Sequence, residues 1–492
     1  MTQHEVLKVF RFTLDPTLAQ QATLRRYAGA ARWAFNHALA VKVAAHEQWR
    51  TQVSALTKTG LPRDVARKQV EIAIPAKPAI QKAWVSNRGD SRTGQDGICP
   101  WSHEVNNYCF QSAFDDADTA WKNWLDSITG RRAGARAGHP RFKKKGRTRD
   151  SFRIAHDVKK PGIRLTTYRR LRIPKLGEVR LHDSAKRLAR LIARDQALVQ
   201  SVTVCRGGHR WYACVLCKVR VDLPDKPTRR QTAGGAIGVD WGVTHLIALS
   251  APADLGHGPT RLLDNPRHLR AAARRLRRAQ QALSRTRKGS TRRQKAKRRL
   301  TRLHGQVAAR RATFLHTITK RLTTGFSIVA IEDLHVTGMT RSARGTLQAP
   351  GHNVRQKAGL NRSILDAAPA EIRRQLTYKA SWYGATIAVI NRWYPSSKTC
   401  SACGKQNPRL TRADRIFICP SCGLRMNRDV NAARNLAACA VASDRGETQN
   451  ARRAPVSLPA YRGRQHRAVK REDAKPSGNA PPRQRNLLAL PP

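Results

Sequence analysis

Three acids stand out by where they fall in the chain. Asp240 closes the apolar run Ala236-Ile237-Gly238-Val239 and precedes Trp241-Gly242-Val243, so a buried strand delivers an acid to a glycine turn, with Thr244 to Leu249 as the returning strand of a hairpin. A second apolar run, Ser327-Ile328-Val329-Ala330-Ile331, ends in Glu332-Asp333, whose side chains alternation sends to opposite faces. The third, Asp429, lies in Asn427-Arg428-Asp429-Val430-Asn431-Ala432-Ala433-Arg434-Asn435, at the head of a helix running on through Leu436 and Ala440. Taken singly, each has a plainer reading: a turn residue, a solvated strand end, a helix N-cap. Taken together, acids from two strands and one helix make a donor set for hard divalent cations, which hold a scissile phosphate and activate water for in-line attack. Three carboxylates converge cheaply only around such cations, and Mg²⁺ suits oxygen ligands, here as a catalytic pair.

Between the second and third acids stands Cys400-Ser401-Ala402-Cys403, and fifteen residues later Cys419-Pro420-Ser421-Cys422. Two CxxC pairs at this spacing match a structural zinc site, with Gly404 and Gly423 supplying tight knuckle turns. Four sulfur ligands leave no open position, so one tetrahedral Zn²⁺ here is structural and not catalytic. Another pair, Cys214 and Cys217, lies three apart on a strand, where side chains point to opposite faces, and reads as structural.

The elements that must position these groups follow from pattern. Residues 4–14 read as a strand, and 17–45 as a helix begun by Asp15-Pro16. The run 46–105 has no clear period and reads as an irregular or partly helical insertion. In 106–128, Phe110, Phe114, Ala117, Trp121 and Trp124 form one apolar helical stripe. The Gly-rich basic stretch from Gly130 to Arg149 reads as a backbone-gripping loop, with Phe142, Lys144 and Arg147 as candidate nucleic-acid contacts. Short alternating runs over 151–222, with one short helix near 184–194, predict a small barrel or sandwich. Between Asp264 and Glu332 no acid occurs, and two amphipathic helices are expected over 267–322, turning near Lys288-Gly289-Ser290. Without acidic partners their arginines, Arg274, Arg277, Arg278, Arg298 and Arg299 among them, are left for phosphates.

The balance of charge agrees. The 492 residues carry 94 Lys+Arg against 32 Asp+Glu, a formal charge of +62, with 40% hydrophobic residues and a mean hydropathy of -0.57. That hydrophobic share excludes full disorder, while the charge marks a polyanion binder. Neither a run of about 18 apolar residues nor an apolar leader is seen, so a cytoplasmic, nucleoid-associated prokaryotic protein without membrane partners is expected. The stretch after about 445 is Pro-, Arg- and Gly-rich without period, and a disordered basic tail is expected there.

These motifs, in this order, resemble the TnpB nucleases of insertion sequences and the compact type V CRISPR effectors derived from them. The resemblance is carried by KVFRFTLDPTLAQQATLRRYAGAARWAFNHAL, GHPRFKKKGRTRDSFRI, IGVDWGV, IVAIEDL, YPSSKTCSACG and CPSCGLRMNRDVNAARN, and covers most of the chain. It implies a multidomain α/β protein: a β-barrel, oligonucleotide-binding-like domain (1–15 and 151–230) interrupted by a helical recognition domain (16–150), then an RNase H-like RuvC nuclease (231–398 and 424–445) with an inserted zinc ribbon (399–423) and the tail 446–492. Asp240, Glu332 and Asp429 would be the RuvC triad, and Cys400, Cys403, Cys419 and Cys422 the ribbon ligands. The family commonly has Asp where Asn427 stands, and this chain exceeds the usual transposon-encoded length. The implied activity is RNA-guided DNA cleavage beside a short flanking motif, with guide RNA and double-stranded target DNA as partners and a monomer or homodimer on RNA. A guide–target duplex of about 20 bp carries about 40 phosphates, the order of the positive charge here. The rival readings are a binding regulator without cleavage, which predicts a missing acid, and a guide-independent transposase or resolvase.

Overall fold

The computed structural model describes residues 2–157, 161–256, 258–411 and 413–444. The basic tail expected over 446–492 falls outside them. The first half begins with β1 (Thr2–Asp15), then α1 (Leu18–Lys58), α2 (Arg63–Gln69), α3 (Lys77–Asn87) and α4 (Asn107–Ile128). It continues through β2 (Ser151–Ala155), β3 (Arg164–Thr167), β4 (Arg170–Ile173), β5 (Gly177–Leu181), α5 (Lys186–Ala193), β6 (Ala197–Gly207) and β7 (Arg210–Leu223). The second half holds α6 (Arg229–Gly234), β8 (Ala236–Trp241), β9 (His245–Asp254), β10 (Pro259–Asp264), α7 (His268–Ser284), α8 (Thr291–Gly325), β11 (Ile328–Glu332) and α9 (Val336–Met339). It ends with α10 (Val354–Ala367), α11 (Pro369–Tyr383), β12 (Thr386–Ile390), β13 (Ile416–Ile418), β14 (Arg425–Asn427) and α12 (Arg428–Asp444).

The first half is one antiparallel sheet, ordered β2-β6-β7-β1-β5-β4-β3, against which α1 and α4 pack. The long β1 ladders with β7 from Thr2↔Leu223 to Leu14↔Trp211. Alternation on β7 buries Ala213, Val215, Cys217 and Val219 and turns Cys214 to the other face. The α4 stripe enters the same core: Phe110, Phe114, Ala117 and Trp121 are buried, and Trp84 of α3 stacks on Phe110. Truncating one such aromatic costs about 3–5 kcal/mol.

The bounds of the first helix change here. The helix start is capped by Thr17, whose hydroxyl takes the Gln20 N–H while the Gln20 side chain takes the Thr17 N–H, so Asp15-Pro16 only leads in. That helix also runs past residue 45 to Lys58, and α2 and α3 follow, so the stretch 46–105 is the partly helical of its two expected forms. Periodicity failed over 46–58 because Val53 is the sole residue buried there.

The second sheet is ordered β10-β9-β8-β11-β12, with β8, β11 and β12 parallel and the β8–β9–β10 ladders antiparallel. Val239, Ile331 and their neighbours on one face meet Leu315, Ile318 and Leu322 of α8 and Ile372 and Leu376 of α11. The other face is covered by α12, whose Leu436 and Ala440 pack on Ala330 and Ile390. The acid-free hairpin forms as expected: Ser290 caps α8, and Ala272, Leu276 and Val307 are buried between the two helices.

Candidate functional site

The acids are placed by strand register and one close helix contact. β8 and β11 run parallel with Val239 opposite Ile331, so Asp240 and Glu332 come one residue later at the same level. Alternation sends both carboxylates to the face opposite Val239 and Ile331, the face that α12 covers. There Gly238 meets α12 so closely that an added Cβ would sit 1.8 Å from the Ala433 carbonyl oxygen. From Gly238 to Asp240 a strand rises about 6.6 Å. From Ala433 back to Asp429 a helix rises about 6 Å, so Asp429 arrives beside Asp240.

The electrostatics record that convergence. Burial, then the charges of Asp429 and Glu332, push the Asp240 carboxyl up to about 8. Glu332 is also raised, by its burial first and then by Asp333. Asp333 behaves oppositely: Arg373 foremost, with Arg392, holds it low, so of this adjacent pair Asp333 is the locked structural acid. Asp429 is flanked by Arg428, whose Nη2 lies 3.1 Å from its Oδ1. The helix cap is Asn427, whose Oδ1 accepts from the N–H groups of Asp429 at 2.9 Å and Val430 at 3.2 Å. Asp429 is thereby released from capping, which Asn427 does in its place.

The cysteines are gathered more tightly. The sulfurs of Cys400, Cys403, Cys419 and Cys422 all lie within 4.8 Å of one another, with Cys400–Cys422 at 3.6 Å and Cys403–Cys419 at 3.5 Å. A tetrahedral ion with metal–sulfur bonds of about 2.3 Å needs sulfurs about 3.8 Å apart, so this donor set fits one. Gly404 and Gly423 take φ of +74° and +69°, the left-handed turns of the two knuckles. Among the described residues this is the one group of three or more His, Cys, Asp or Glu drawn to metal-holding distance. The three acids are electrostatic neighbours without closing into such a group. The hairpin β13–β14 completes the ribbon and hands the chain to α12 at Asn427.

Sequence reasoning missed the parts that join the two corners. Asn431 and Asn435, both buried on α12, clamp the first knuckle: Asn431 accepts from Ser401 N–H at 2.9 Å and donates to the Thr399 carbonyl at 2.7 Å. Asn435 donates to the carbonyls of Ser396 at 2.7 Å and Thr399 at 2.6 Å. The signal was there, two asparagines at i and i+4 on an alanine-rich helix. Gly238, lone in an apolar strand, was the other.

Among the nucleic-acid candidates, the basic loop is pinned at its centre. Lys143 exchanges backbone hydrogen bonds with the Asn36 side chain and sits 3.7 Å over the Phe35 ring, leaving Phe142, Lys144 and Arg147 exposed. Arg274, Arg277, Arg278, Arg298 and Arg299 are exposed on α7 and α8 and form no ion pair among the described residues. No helix among the described residues is long and apolar enough to cross a membrane.

A protein of Mycobacterium tuberculosis (strain CDC 1551 / Oshkosh) named as RNA-guided DNA endonuclease MT2953 is 34% identical over 438 residues, covering 88% of this chain and 86% of its own. The chain belongs to the TnpB-like family of compact RNA-guided DNA endonucleases. The endonuclease InsQ of Escherichia coli (strain K12), similarly named, is 31% identical, covering 88% of this chain and 92% of its own. Three family descriptions match: "Helix-turn-helix domain" over residues 1–51, "Probable transposase" over 215–343, and "Cas12f1-like, TNB domain" over 370–436. Over residues 2–51 the chain forms a strand and part of one uninterrupted helix, so that first description does not match its local structure.

Proposed function

We propose that this TnpB-like chain is an RNA-guided DNA endonuclease whose cleavage is metal-dependent and of RuvC type. The observation that carries the proposal is the meeting of Asp240, Glu332 and Asp429 at the level where parallel β8 and β11 end under α12. The strand order, three antiparallel strands followed by two parallel ones with a helix on each face, supports the RNase H-like reading of 231–398 and 424–445. The sheet of 1–15 and 151–230 is antiparallel, as the barrel reading needs, but no ladder joins its end strands β2 and β3 among the described residues; 16–150 is read as its helical insertion and 399–423 as the ribbon.

Asp240, Glu332 and Asp429 would hold a pair of Mg²⁺, whose charge would offset the burial and the neighbouring carboxylates that together raise Asp240. When bound, such ions clamp the scissile phosphate and lower the pKa of an attacking water. To serve as a ligand, Asp240 would have to be in its ionised form. Cys400, Cys403, Cys419 and Cys422 hold one Zn²⁺ that stabilises the ribbon. The exposed cations of α7, α8 and the 130–149 loop grip guide RNA and double-stranded target DNA by their backbones, while base pairing reads sequence. The protein acts as a monomer or a homodimer on RNA.

Asp240→Ala, Glu332→Ala and Asp429→Ala are each expected to lower cleavage at least about a thousandfold while target binding survives, since the phosphate-gripping arginines are untouched. Near-normal cutting by any one would remove that residue from the triad. Sequencing RNA that co-purifies with the chain tests the guide: a repeat-derived RNA marks a CRISPR effector, an element-end RNA a transposon nuclease, and no bound RNA defeats the guided reading.

A further inference from the structure

We infer that Trp393 is a stacking platform for an unpaired nucleobase of the strand that enters the acid site, an inference that rests on the nuclease reading above. Trp393 is 84% exposed, whereas the next most exposed of the ten tryptophans, Trp382, reaches 37%. Among the described residues its indole has no ring or cation partner.

The turn that presents it is held on every side. The Asn391 side chain accepts the Trp393 N–H at 3.0 Å, and the Asn391 carbonyl accepts the Tyr394 N–H at 3.0 Å. Tyr394 packs into the cluster of Ile390 and Leu436. Arg392 pairs with Asp333, which also takes Arg373, and the Asp333 N–H donates to the Ile390 carbonyl at 2.9 Å. A fixed backbone thus holds a large apolar ring out in water. Stacking against a planar ligand requires that arrangement, and a loop that packs its tryptophan would not produce it.

Position and charge select the ligand. Ile390 stands in register with Glu332 on the neighbouring parallel strand. Strands lie about 4.8 Å apart and three residues reach at most about 10 Å, so the Trp393 backbone lies within about 15 Å of that of Glu332. At about 3.4 Å per nucleotide, this spans no more than about four nucleotides. The two arginines outnumber the one acid beside it, which suits a phosphodiester chain. A base offers its π-face whatever the sequence, so this site serves an enzyme whose protein part does not read the cut sequence.

The test uses the full chain with its co-expressed RNA, binding a fluorescent 15-nucleotide single-stranded oligothymidylate, with wild type, Trp393→Ala and Trp393→Phe compared. Trp393→Ala should weaken binding roughly 5- to 150-fold, and Trp393→Phe should recover to within about threefold of wild type. Zinc content and thermal unfolding should match wild type in both. Wild-type affinity in Trp393→Ala, a phenylalanine variant as weak as the alanine one, or no binding by wild type would each overturn the inference. A wild-type chain that binds the oligonucleotide and loses affinity with Trp393→Ala, yet never cuts, would instead defeat the nuclease reading and leave the platform standing.

Discussion

The four cysteines and the three acids both abut the first turns of α12, yet they are brought there by different means. The cysteines come from one short stretch folded on two glycine knuckles, and their sulfurs already sit at ligand spacing. The acids come from three segments remote in sequence, and burying Asp240 beside the charges of Asp429 and Glu332 raises its carboxyl to about 8. The cysteine corner therefore depends on local backbone turns, and the acid corner on long-range packing of β8, β11 and α12.

Breaking the packing should separate the two most sharply. In Gly238→Val the new side chain would meet the Ala433 carbonyl, with the bare Cβ already at 1.8 Å. Neither backbone can yield cheaply, so α12 must shift off the sheet at a cost of about 3 kcal/mol or more. Cleavage should fall to the level of Asp240→Ala, while metal analysis still finds one zinc per chain. Zinc lost along with activity would show that the corners are not independently built.

Next in size is the reverse experiment. Cys400→Ser should release zinc and unfold 400–423 locally, because metal binding supplies the folding energy of so small a loop. The loss should reach the acids through the Asn431 and Asn435 clamp and lower cleavage roughly 10- to 100-fold, short of the acid variants. Elemental analysis with cleavage kinetics checks both halves. Zinc-free wild-type protein would defeat the ligand assignment.

Much of this was legible in the sequence because the signals are local. An apolar run ending in an acid names its own strand and its exposed end, and the two CxxC pairs state their ligands outright. The α4 stripe and the acid-free hairpin were readable from period alone. What stayed hidden is relational. Nothing in Ile237-Gly238-Val239 says which helix will press on Gly238, and nothing in Asn431 or Asn435 says that a knuckle carbonyl will be their partner. The helix beyond residue 45 was lost because a long helix with one buried residue in its last turns has no apolar period to read.

The clamp itself gives the third expected effect. Asn435→Ala leaves the Ser396 carbonyl without the donor it has at 2.7 Å, while Thr399 keeps its bond from Asn431. An unpaired buried acceptor costs about 1–3 kcal/mol. Thermal unfolding of the zinc-loaded protein should report that loss, with zinc retained and cleavage between wild type and Cys400→Ser. Full cleavage in the presence of the stability loss would mean that the ribbon does not position Asp429.

The smallest effect is expected at Asn427, the cap of α12. Asn and Asp cap helices about equally well, so Asn427→Asp should keep the hydrogen bonds to the N–H groups of Asp429 and Val430. The added charge gains about 0.3–1 kcal/mol from the helix N-terminus. Repulsion from Asp429, partly neutralised by Arg428 at 3.1 Å, works against it. The two nearly cancel, leaving stability within about 0.5 kcal/mol of wild type in metal-free protein. Once cations load, the extra carboxylate favours them, so half-maximal cleavage should need less Mg²⁺ than in the natural chain. A variant that melts well below wild type would show that the Asn427 amide, and not its oxygen alone, is needed at the head of α12. A Mg²⁺ requirement that rises would place the acid corner's limit at charge repulsion and not at ligand supply.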